Sequence, residues 1–364
     1  VPLGAFLSGG VDSCAAVAAM TKSNRNRVKT FTMGFHETEF CETKYARLMS
    51  SCYDLEHTEE TLTPDDVASV YDSMLWHFDE PFNDYSFFPT YYICRAARKR
   101  ITVALSGDGG DEIFCGYSTF QRLLFVDLLN RVCPMPLRKW PFRAVSYLLP
   151  SHSVYKRHLM RLSKTKNEML RDVMMFIFTR QEMTQALTGE IKKEMEGYDT
   201  GSVIDKHLEA VKDQNLDLIN TMRYLSTKMT LAEDMLVKVD RASMAVSLEV
   251  RPVLLFAPLV EFVSHIPTHF LVTSKQTKSI LKKSLEPWVP VENLYRKKMG
   301  FEVPLRKWFR SDLLDLIEQT KKSPWIKQSF FAELLRRQEK GQRDFTLQIH
   351  NLVFLNSWLN KWLS

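Results

Sequence analysis

Short strand-like runs alternate with longer amphipathic stretches over the first 120 residues, the pattern of an α/β domain with a parallel sheet. The runs predict strands at Gly4–Leu7, Val28–Phe35, Glu56–Leu62 and Ile101–Ser106. The stretches between them predict helices at Asp12–Met20, Glu42–Tyr53, Pro64–Trp76 and Pro89–Arg100. This order predicts a doubly wound, mostly parallel sheet with helices on both faces.

One of these helices has a well-marked start. Thr63 stands at its N-cap, Pro64 follows, and Asp65 and Asp66 lie in its first turn. A hydroxyl at the cap and carboxylates in the first turn satisfy free backbone N–H groups and complement the helix dipole. The helix is therefore expected to begin at Pro64.

The pattern changes at about residue 121. Apolar residues then recur at helical spacing, as in Leu123-Leu124-x-x-x-Leu128-Leu129, and no convincing strand follows. We therefore expect an α/β unit over residues 1–120 and a mainly helical region over 121–364.

Composition excludes several classes of protein. With 364 residues, 45% of them hydrophobic and 25% charged, the chain is typical of globular proteins. No apolar stretch reaches the ~18 residues that a membrane span requires. The six cysteines form no C-x-x-C pair, which suits a reducing compartment. The expectation is a cytoplasmic protein with no membrane partner.

The net charge of +6 arises from 49 basic and 43 acidic residues that are interleaved along the chain. No long single-sign run marks a nucleic-acid tail, so no nucleic-acid partner is expected. The excess favours small anionic ligands. A tRNA-modifying enzyme is a weaker alternative, motivated by this charge and by basic stretches such as Lys156–Lys166.

Glycines are the most informative residues. The chain has 13, and five of them lie in two short loops that each follow a predicted strand: Gly9, Gly10, Gly107, Gly109 and Gly110. Ligands of doubly wound sheets bind where parallel strands end. Both loops are thus candidates for a ligand site.

The first loop, Ser8-Gly9-Gly10-Val11-Asp12-Ser13, joins a strand to a helix. Its glycines let the backbone approach a ligand, and the helix N-terminus favours an anion such as phosphate. Asp12 would repel a phosphate unless Mg²⁺ lay between them. The alternative is a tight turn in which Asp12 only caps the helix, and the G-x-x-x-x-G-K-[ST] pattern is absent.

The second loop, Ser106-Gly107-Asp108-Gly109-Gly110-Asp111-Glu112, places three carboxylates among three glycines. Carboxylates this close repel one another unless a cation lies between them. Asp111 is the natural second metal ligand beside Asp12, giving a predicted Mg²⁺ site. A simple Gly/Asp turn is the alternative.

Together the two loops resemble the synthetase domain of glutamine-dependent asparagine synthetases, a branch of the ATP pyrophosphatases. Further segments resemble that family in the same order, namely Asp79-Glu80-Pro81-Phe82, Leu236–Ala245, Ser247–Arg251, Thr277–Leu281 and Arg296–Pro304. The resemblance covers most of residues 1–310, whereas 121–220 and the end of the chain match only in general character.

The resemblance implies a reaction. ATP would adenylate a carboxylate, most simply the β-carboxylate of aspartate, and ammonia would attack the acyl-adenylate to give an amide, AMP and pyrophosphate. ATP and Mg²⁺ are the implied cofactors.

It also implies roles for individual residues. Ser8, Gly9, Gly10 and Ser13 would hold pyrophosphate, and Asp12 with Asp111 would hold Mg²⁺. Leu7, Met33, Ser106 and Gly107 would contact the nucleoside. Asp108 and Glu112 would lie beside the reacting carboxylate. Lys278, with Lys275 as second choice, would stabilise the transition state of adenylation.

The remaining implied residues would bind the α-amino and α-carboxylate groups of the substrate: Asp234, Lys238, Asp240, Arg241, Glu249 and Arg251. Their alternating charges are equally typical of a salt-bridge lattice on a helix surface. Both interpretations stay open at this point.

Two departures from the family limit the comparison. Phe256 stands where the family has Asp, which puts substrate positioning there in doubt. No leading glutaminase with an N-terminal cysteine nucleophile is present, and the first cysteine is Cys14. We therefore expect a glutaminase domain upstream or in trans, and a homodimer is possible in this family.

Three interpretations result. Asparagine formation from aspartate is the first. The second is a relative that amidates another carboxylate or closes a β-lactam ring. The third is a catalytically weak partner subunit that retains nucleotide binding.

Overall fold

Five parallel strands form one sheet in the described part of the computed structural model, residues 1–23, 26–133, 135–149, 154–175, 177–195, 197–300, 303–342 and 344–363. The strands are β1 (Leu3–Phe6), β2 (Lys29–Phe35), β3 (Glu56–Leu62), β4 (Val103–Ser106) and β5 (Glu249–Pro252). Their order across the sheet is β3-β2-β1-β4-β5. This is the doubly wound arrangement that the sequence predicts.

Strand order reverses at β1, which lies between β2 and β4. Ala5 pairs with Thr30 on one side and with Leu105 on the other. The loops after β1 and β4 therefore leave the same edge of the sheet as neighbours. Ligands of doubly wound folds bind at this switch point, so the fold brings the two glycine-rich loops together.

Helices make up most of the rest of the described chain. Their bounds are α1 Val11–Ser23, α2 Thr43–Tyr53, α3 Pro64–Phe78, α4 Phe87–Arg98, α5 Gly110–Ile113, α6 Ser118–Val132, α7 Met135–Tyr147, α8 Val154–Leu162, α9 Lys166–Met174, α10 Arg180–Ala186, α11 Gly189–Glu194, α12 Ser202–Ala210, α13 Leu218–Leu225, α14 Leu236–Met244, α15 Ala257–Ser264, α16 Thr268–Leu271, α17 Ser279–Leu285, α18 Val291–Tyr295, α19 Leu305–Trp308, α20 Leu314–Lys321, α21 Gln328–Glu339 and α22 Thr346–Trp362. Short 3₁₀ turns lie at Lys212–Gln214 and Val253–Leu255.

The four strands and four helices predicted over residues 1–120 are confirmed, with ends that differ by three residues at most. Helix α3 begins at Pro64 as expected. The Thr63 hydroxyl accepts a hydrogen bond from the Asp66 N–H at 3.3 Å, and the Asp66 carboxylate accepts one from the Thr63 N–H at 3.0 Å. This reciprocal pair is a capping box.

The expectation of no strand after residue 121 is wrong. Strand β5 extends the sheet by pairing with β4, with Val250 opposite Ala104. Glu249 and Arg251 are exposed, two positions apart on this edge strand, and paired at 2.6 Å. For these two residues the alternation of charge reflects strand spacing and not a helix lattice. The division at residue 120 stays a prediction.

Two apolar clusters cover the two faces of the sheet. Phe6 packs against a cluster built on α3, α4 and α22, whereas Ala5 and Leu7 belong to a cluster that includes α1 and α17. Successive strand residues point to opposite faces, and helices cover both. This leaves the carboxyl edge of the strands as the place for a ligand. No helix in the described ranges is long and apolar enough to span a membrane.

A continuous helical rod brings one more set of side chains to this edge. Helix α13 runs through a π-helix at Ser226–Met235 into α14. π-Helical turns are rare and often occur at functional sites. This rod carries Asp234 and Lys238.

Candidate active site

The first loop closes on itself at the N-terminus of α1. The hydroxyls of Ser8 and Ser13 lie 3.1 Å apart, and the Ser13 hydroxyl also accepts a hydrogen bond from the Ser8 N–H at 3.2 Å. The Ser13 hydroxyl donates to the Gly10 carbonyl at 3.1 Å. Two hydroxyls and the free N–H groups of a helix N-terminus thus meet at one point, which suits an anion.

Glycine is required at two positions of these loops. Gly9 has φ of +73°, and a Cβ there would lie 2.6 Å from the carbonyl carbon of Tyr45. A Cβ on Gly107 would lie 2.7 Å from the Cβ of Asp12. The second contact shows that the two loops pack directly against each other.

Lys278 connects the two loops electrostatically. It is 4% exposed, and its ammonium contacts the carboxylates of both Asp12 and Asp111, the latter at 2.6 Å from Oδ1. Lys298 donates to the other oxygen of Asp111. Two carboxylates and two ammonium groups therefore form one compact cluster at the switch point.

Burial and charge act in opposite directions on this cluster. Burial alone would raise the pKa of Asp111, but Lys278 and Lys298 lower that pKa to about 2. Burial would lower the pKa of Lys278, but Asp111 and Asp12 raise it. Burial raises the pKa of Asp12 despite the opposing effect of Lys278. Lys278 and Asp111 are thus both charged at neutral pH.

Two oxygens of the cluster, Asp12 Oδ1 and Asp111 Oδ1, accept no hydrogen bond from the described residues, although Asp111 Oδ1 lies 2.6 Å from the Lys278 ammonium. Asp12 Oδ1 is buried without a hydrogen-bond partner. No group of three or more Cys, His, Asp or Glu side chains within the described ranges could hold a metal ion. A divalent cation here would have the Asp12 and Asp111 carboxylates and would need its other ligands from a bound molecule.

Sequence reasoning missed the residues that brace the first loop. Asn293, fully buried on α18, donates to the carbonyls of Gly9 and Tyr45 at 3.0 and 2.9 Å. Arg296 lies 4.5 Å from the Tyr45 ring centroid and forms a buried ion pair with Glu42. Arg296 lies in a segment that resembles the family, but nothing in the sequence pattern pointed to Asn293 or Glu42. Phe301 and Glu302 of that segment lie outside the described residues.

A second polar cluster lies beyond the second loop. Lys238, 6% exposed, donates to the Asp84 carboxylate at 2.8 Å and to the Ser86 hydroxyl at 2.9 Å. Buried Glu112 accepts a hydrogen bond from the Tyr117 hydroxyl. Asp84, Ser86 and Tyr117 were not predicted. Asp84 follows the Asp79–Phe82 segment by two residues, and that segment was the only available signal.

We call Asp84, Asp108, Glu112 and Asp234, with Lys238 among them, the acidic lobe. Burial and the Asp84 carboxylate raise the pKa of Asp234 to about 7. Burial also raises the pKa of Glu112. Asp108 accepts a hydrogen bond from Ser106 at 2.6 Å, and its charge acts on Lys238. The lobe thus holds one carboxyl group, that of Asp234, able to exchange protons near neutral pH.

Four predicted residues lie apart from both clusters. Arg241 donates to Asp79 at 3.0 Å and to the His77 carbonyl at 3.2 Å, where it stabilises the end of α3. Asp240 and Lys275 are exposed, and Arg251 pairs with Glu249 on the edge strand. The structure does not bring these four side chains together with the loops.

The two predicted nucleoside contacts differ in surroundings. Leu7 is fully buried in the cluster on one face, and Met33, 5% exposed, belongs to the cluster on the other. Their side chains therefore lie on opposite sides of the sheet. Leu7 and Met33 could therefore contact the same nucleotide through their main-chain atoms at the strand ends.

Phe256 does not enter the site. It is 65% exposed and forms the N-cap of α15. The residues just before it do contact the second loop, since Leu255 Cδ2 lies 2.2 Å from where a Cβ on Gly109 would be. The Phe side chain thus lies at the surface, one residue from the packing that shapes the loop.

Comparisons with known proteins show what the chain is similar to. A family model described as asparagine synthase matches residues 1–364. The chain is 27% identical to asparagine synthetase [glutamine-hydrolyzing] 1 of Bacillus subtilis, over 98% of the chain and 56% of the relative. It is 32% identical to a Mycobacterium bovis protein provisionally named as the same enzyme, over 85% and 46%. Amidase chyE of Penicillium rubens is 23% identical, over 96% and 56%. The chain spans about half the length of these relatives.

Proposed function

The chain belongs to the asparagine synthase family, and on that premise we propose that it catalyses ATP-dependent amidation of the aspartate β-carboxylate by ammonia, releasing AMP and pyrophosphate. One observation carries the proposal. Lys278, from the helical region, lies buried between Asp12 of the first loop and Asp111 of the second. Burying three charged groups costs folding stability, because the ions must be desolvated. Their burial at this edge therefore favours a functional role over a purely stabilising one.

The first loop is suited to the pyrophosphate of ATP. Ser8, Ser13 and the N–H groups at the start of α1 converge on one point, where they would bind the β- and γ-phosphates. Arg296 adds a cation, since a Cβ on Gly10 would lie 3.6 Å from its guanidinium. Asn293 and Glu42 would keep the loop and Arg296 in place before ATP arrives. Preorganised donors of this kind cost no reorganisation during the reaction.

The carboxylates of Asp12 and Asp111 suit Mg²⁺. Both are hard oxygen ligands, and Asp12 Oδ1 is buried with no donor of its own. When bound, Mg²⁺ would neutralise the phosphate charge as pyrophosphate departs. With its other ligands taken from phosphate, two carboxylates are as many as such sites commonly use.

Lys278 is the group best placed to act on the α-phosphate. Its ammonium stays charged, and it pairs with two carboxylates, those of Asp12 and Asp111, that ATP and a cation would also engage. Attack of a carboxylate on the α-phosphate spreads negative charge over the phosphoryl oxygens. A buried ammonium at that position would stabilise the charge far more than one in water.

The acidic lobe is suited to the amino acid and to ammonia. Lys238 would pair with the α-carboxylate of aspartate, and the surrounding carboxylates would bind its α-amino group. Asp234, with a pKa of about 7, would take the proton released when ammonia attacks the acyl-adenylate. Glu112 and Asp108 flank the same region and would exclude other anions.

The second candidate substrate is a carboxylic acid other than aspartate. The negative charge of the acidic lobe is the observation that favours testing it. The charges of three carboxyl groups, Asp84, Asp108 and Asp234, act on Lys238, whose ammonium already bonds Asp84 and Ser86. A substrate with an amino group and only the carboxylate that is amidated has no second carboxylate, so it would need no further cation from the protein. In either case the glutaminase that the Bacillus subtilis name implies would supply ammonia from elsewhere.

The proposal is tested by incubating the chain with ATP, Mg²⁺, aspartate and ammonium, and then separating nucleotides and amino acids. AMP and asparagine are expected to accumulate together. Reactions without aspartate, and with β-alanine in its place, are the controls. ADP as the sole nucleotide product would contradict adenylation. AMP formed only with another carboxylate would reassign the substrate, and ATP binding without turnover would favour the partner-subunit interpretation.

A further inference from the structure

The positive charge of this protein is concentrated in three consecutive helices. Residues 118–162, which contain α6, α7 and α8, include eight Lys and Arg residues and one acidic residue. The remainder of the chain has 41 basic and 42 acidic residues. The net charge of +6 therefore belongs entirely to this segment.

The same helices expose large apolar side chains. Of twenty-five such exposed side chains in the described ranges, nine lie between residues 125 and 155. On α6, Phe125, Leu128 and Val132 are 60–78% exposed and share one face of the helix. On α7, Trp140 is 71% exposed, and Leu148 just beyond it is 84% exposed. We call the exposed side chains of the described residues within 118–162, which include Arg122 and Arg143, the basic apolar surface.

The basic apolar surface consists of residues other than those of the proposed site. Phe120 and Leu123 are buried and anchor α6 on the core. Helix α7 packs chiefly on α8, and Ser146 of α7 is buried. No residue assigned above to ATP, Mg²⁺ or the acidic lobe belongs to the surface. Its composition is therefore not explained by the proposed reaction.

A cavity of about 270 Å³ borders the surface. Val126, Met135 and Met169 supply apolar walls, and Lys164 and Lys166 lie at the same cavity. Lys164 pairs with Asp172, and Lys166 donates to the Leu216 carbonyl at 2.8 Å, so the cavity offers chiefly apolar walls, which suit a hydrocarbon chain.

We propose that the basic apolar surface binds the surface of a membrane that contains anionic phospholipid. Basic side chains would pair with the headgroups, while Trp140, Leu148 and the apolar face of α6 would enter the boundary between headgroups and acyl chains. Nucleic acid would satisfy the charge but would leave the exposed Leu and Val side chains in water. The association needs no spanning helix, and it would correct the expectation of no membrane partner.

The test is cosedimentation of the whole chain with sucrose-loaded vesicles. Phosphatidylcholine vesicles with and without phosphatidylglycerol are compared at low and high salt. The apolar variant is Trp140→Ser with Leu148→Ser, and the charge variant is Lys139→Glu with Arg143→Glu. Matched controls outside the surface are Phe262→Ser, which replaces a side chain 65% exposed, and the pair Lys322→Glu with Lys340→Glu.

Binding is expected only to the anionic vesicles, weaker at high salt, and reduced about tenfold or more by each surface variant but not by the controls. All altered side chains lie at the surface, so the variants should melt like the parent. No binding to anionic vesicles, or binding that both surface variants retain, would overturn the proposal. Light scattering supplies a further check: a dimer that the apolar variant dissociates would assign the surface to a second copy of the chain and overturn the membrane interpretation.

Discussion

Replacing Lys278 tests the proposed chemistry most directly. Lys278→Ala removes the cation that contacts both Asp12 and Asp111. Lys298 would still pair with Asp111, but Asp12 would lose its only ion pair in the described structure. Two effects should follow, one on turnover and one on stability.

Their sizes can be worked out separately. Loss of one preorganised charge that stabilises the transition state typically lowers turnover by about 10²–10³, or roughly 2.7–4 kcal/mol. Breaking a buried ion pair by removing one partner costs about 3–5 kcal/mol of folding stability. The variant is therefore expected to form AMP at least about a hundredfold more slowly and to unfold at lower urea concentration.

Lys278→Arg keeps the charge and separates these effects. There is little room for a larger head group, since a Cβ on Gly116 would already lie 2.2 Å from Lys278 Cε. The planar fork of Arg also does not reproduce a compact ammonium. We expect this variant to recover stability more than turnover.

The assay is AMP formation at saturating ATP and aspartate, combined with urea unfolding and ATP binding at equilibrium. Lys275→Ala, which removes an exposed lysine three residues away, is the matched control and should resemble the parent. Near-parental AMP formation by Lys278→Ala would refute the role. If Lys275→Ala loses turnover instead, the catalytic cation is Lys275. If neither variant loses turnover, the catalytic cation lies elsewhere.

Three further outcomes are expected. Gly116→Ala should lower both AMP formation and the melting temperature, because its Cβ would meet Asp111 Oδ1 at 1.9 Å, whereas Gly189→Ala, with nothing within 4 Å, should change neither. Asn293→Ala loses two buried hydrogen bonds to main-chain carbonyls and should cost about 1–3 kcal/mol in urea unfolding, with a raised KM for ATP. The pKa of Asp234 is raised from its usual 3.8 to about 7 in the folded chain. Between these pH values the folded state binds more protons than the unfolded state, so the contribution of this residue to folding stability falls as pH rises through that window. Asp234→Asn should therefore be more stable than the parent at pH above about 7 and no more stable below about 4, and equal gains at both pH values would contradict the shift.

Local chemistry determined much of the first 120 residues. Strand and helix patterns, the Thr63 cap and the placement of glycines predicted the elements and the loops at which a ligand would bind. The reason is that each of these signals acts within a few residues. The second loop could be identified because three neighbouring carboxylates require a cation, and this requirement does not depend on the fold of the rest of the chain.

The short strand β5 was missed because its four residues, Glu-Val-Arg-Pro, have little hydrophobic content. It forms only because β4 offers a free edge. Alternating charge looks the same on a strand and on a helix face until the neighbour is known, so Arg251 could not be distinguished from Lys238. Only the fold shows that one is exposed and the other buried beside Asp84.

The sequence by itself determined which residue types could do the chemistry and on which elements they lie. The tertiary structure alone decided which of them meet. Lys278 and Asp12 are 266 residues apart in sequence, and Asn293 and Gly9 are 284 apart. No periodicity or motif encodes such a contact, because it depends on the order of strands in the sheet and on how the helical region packs over their ends. Burial, which sets the pKa values of Asp111 and Asp234, follows from the same packing.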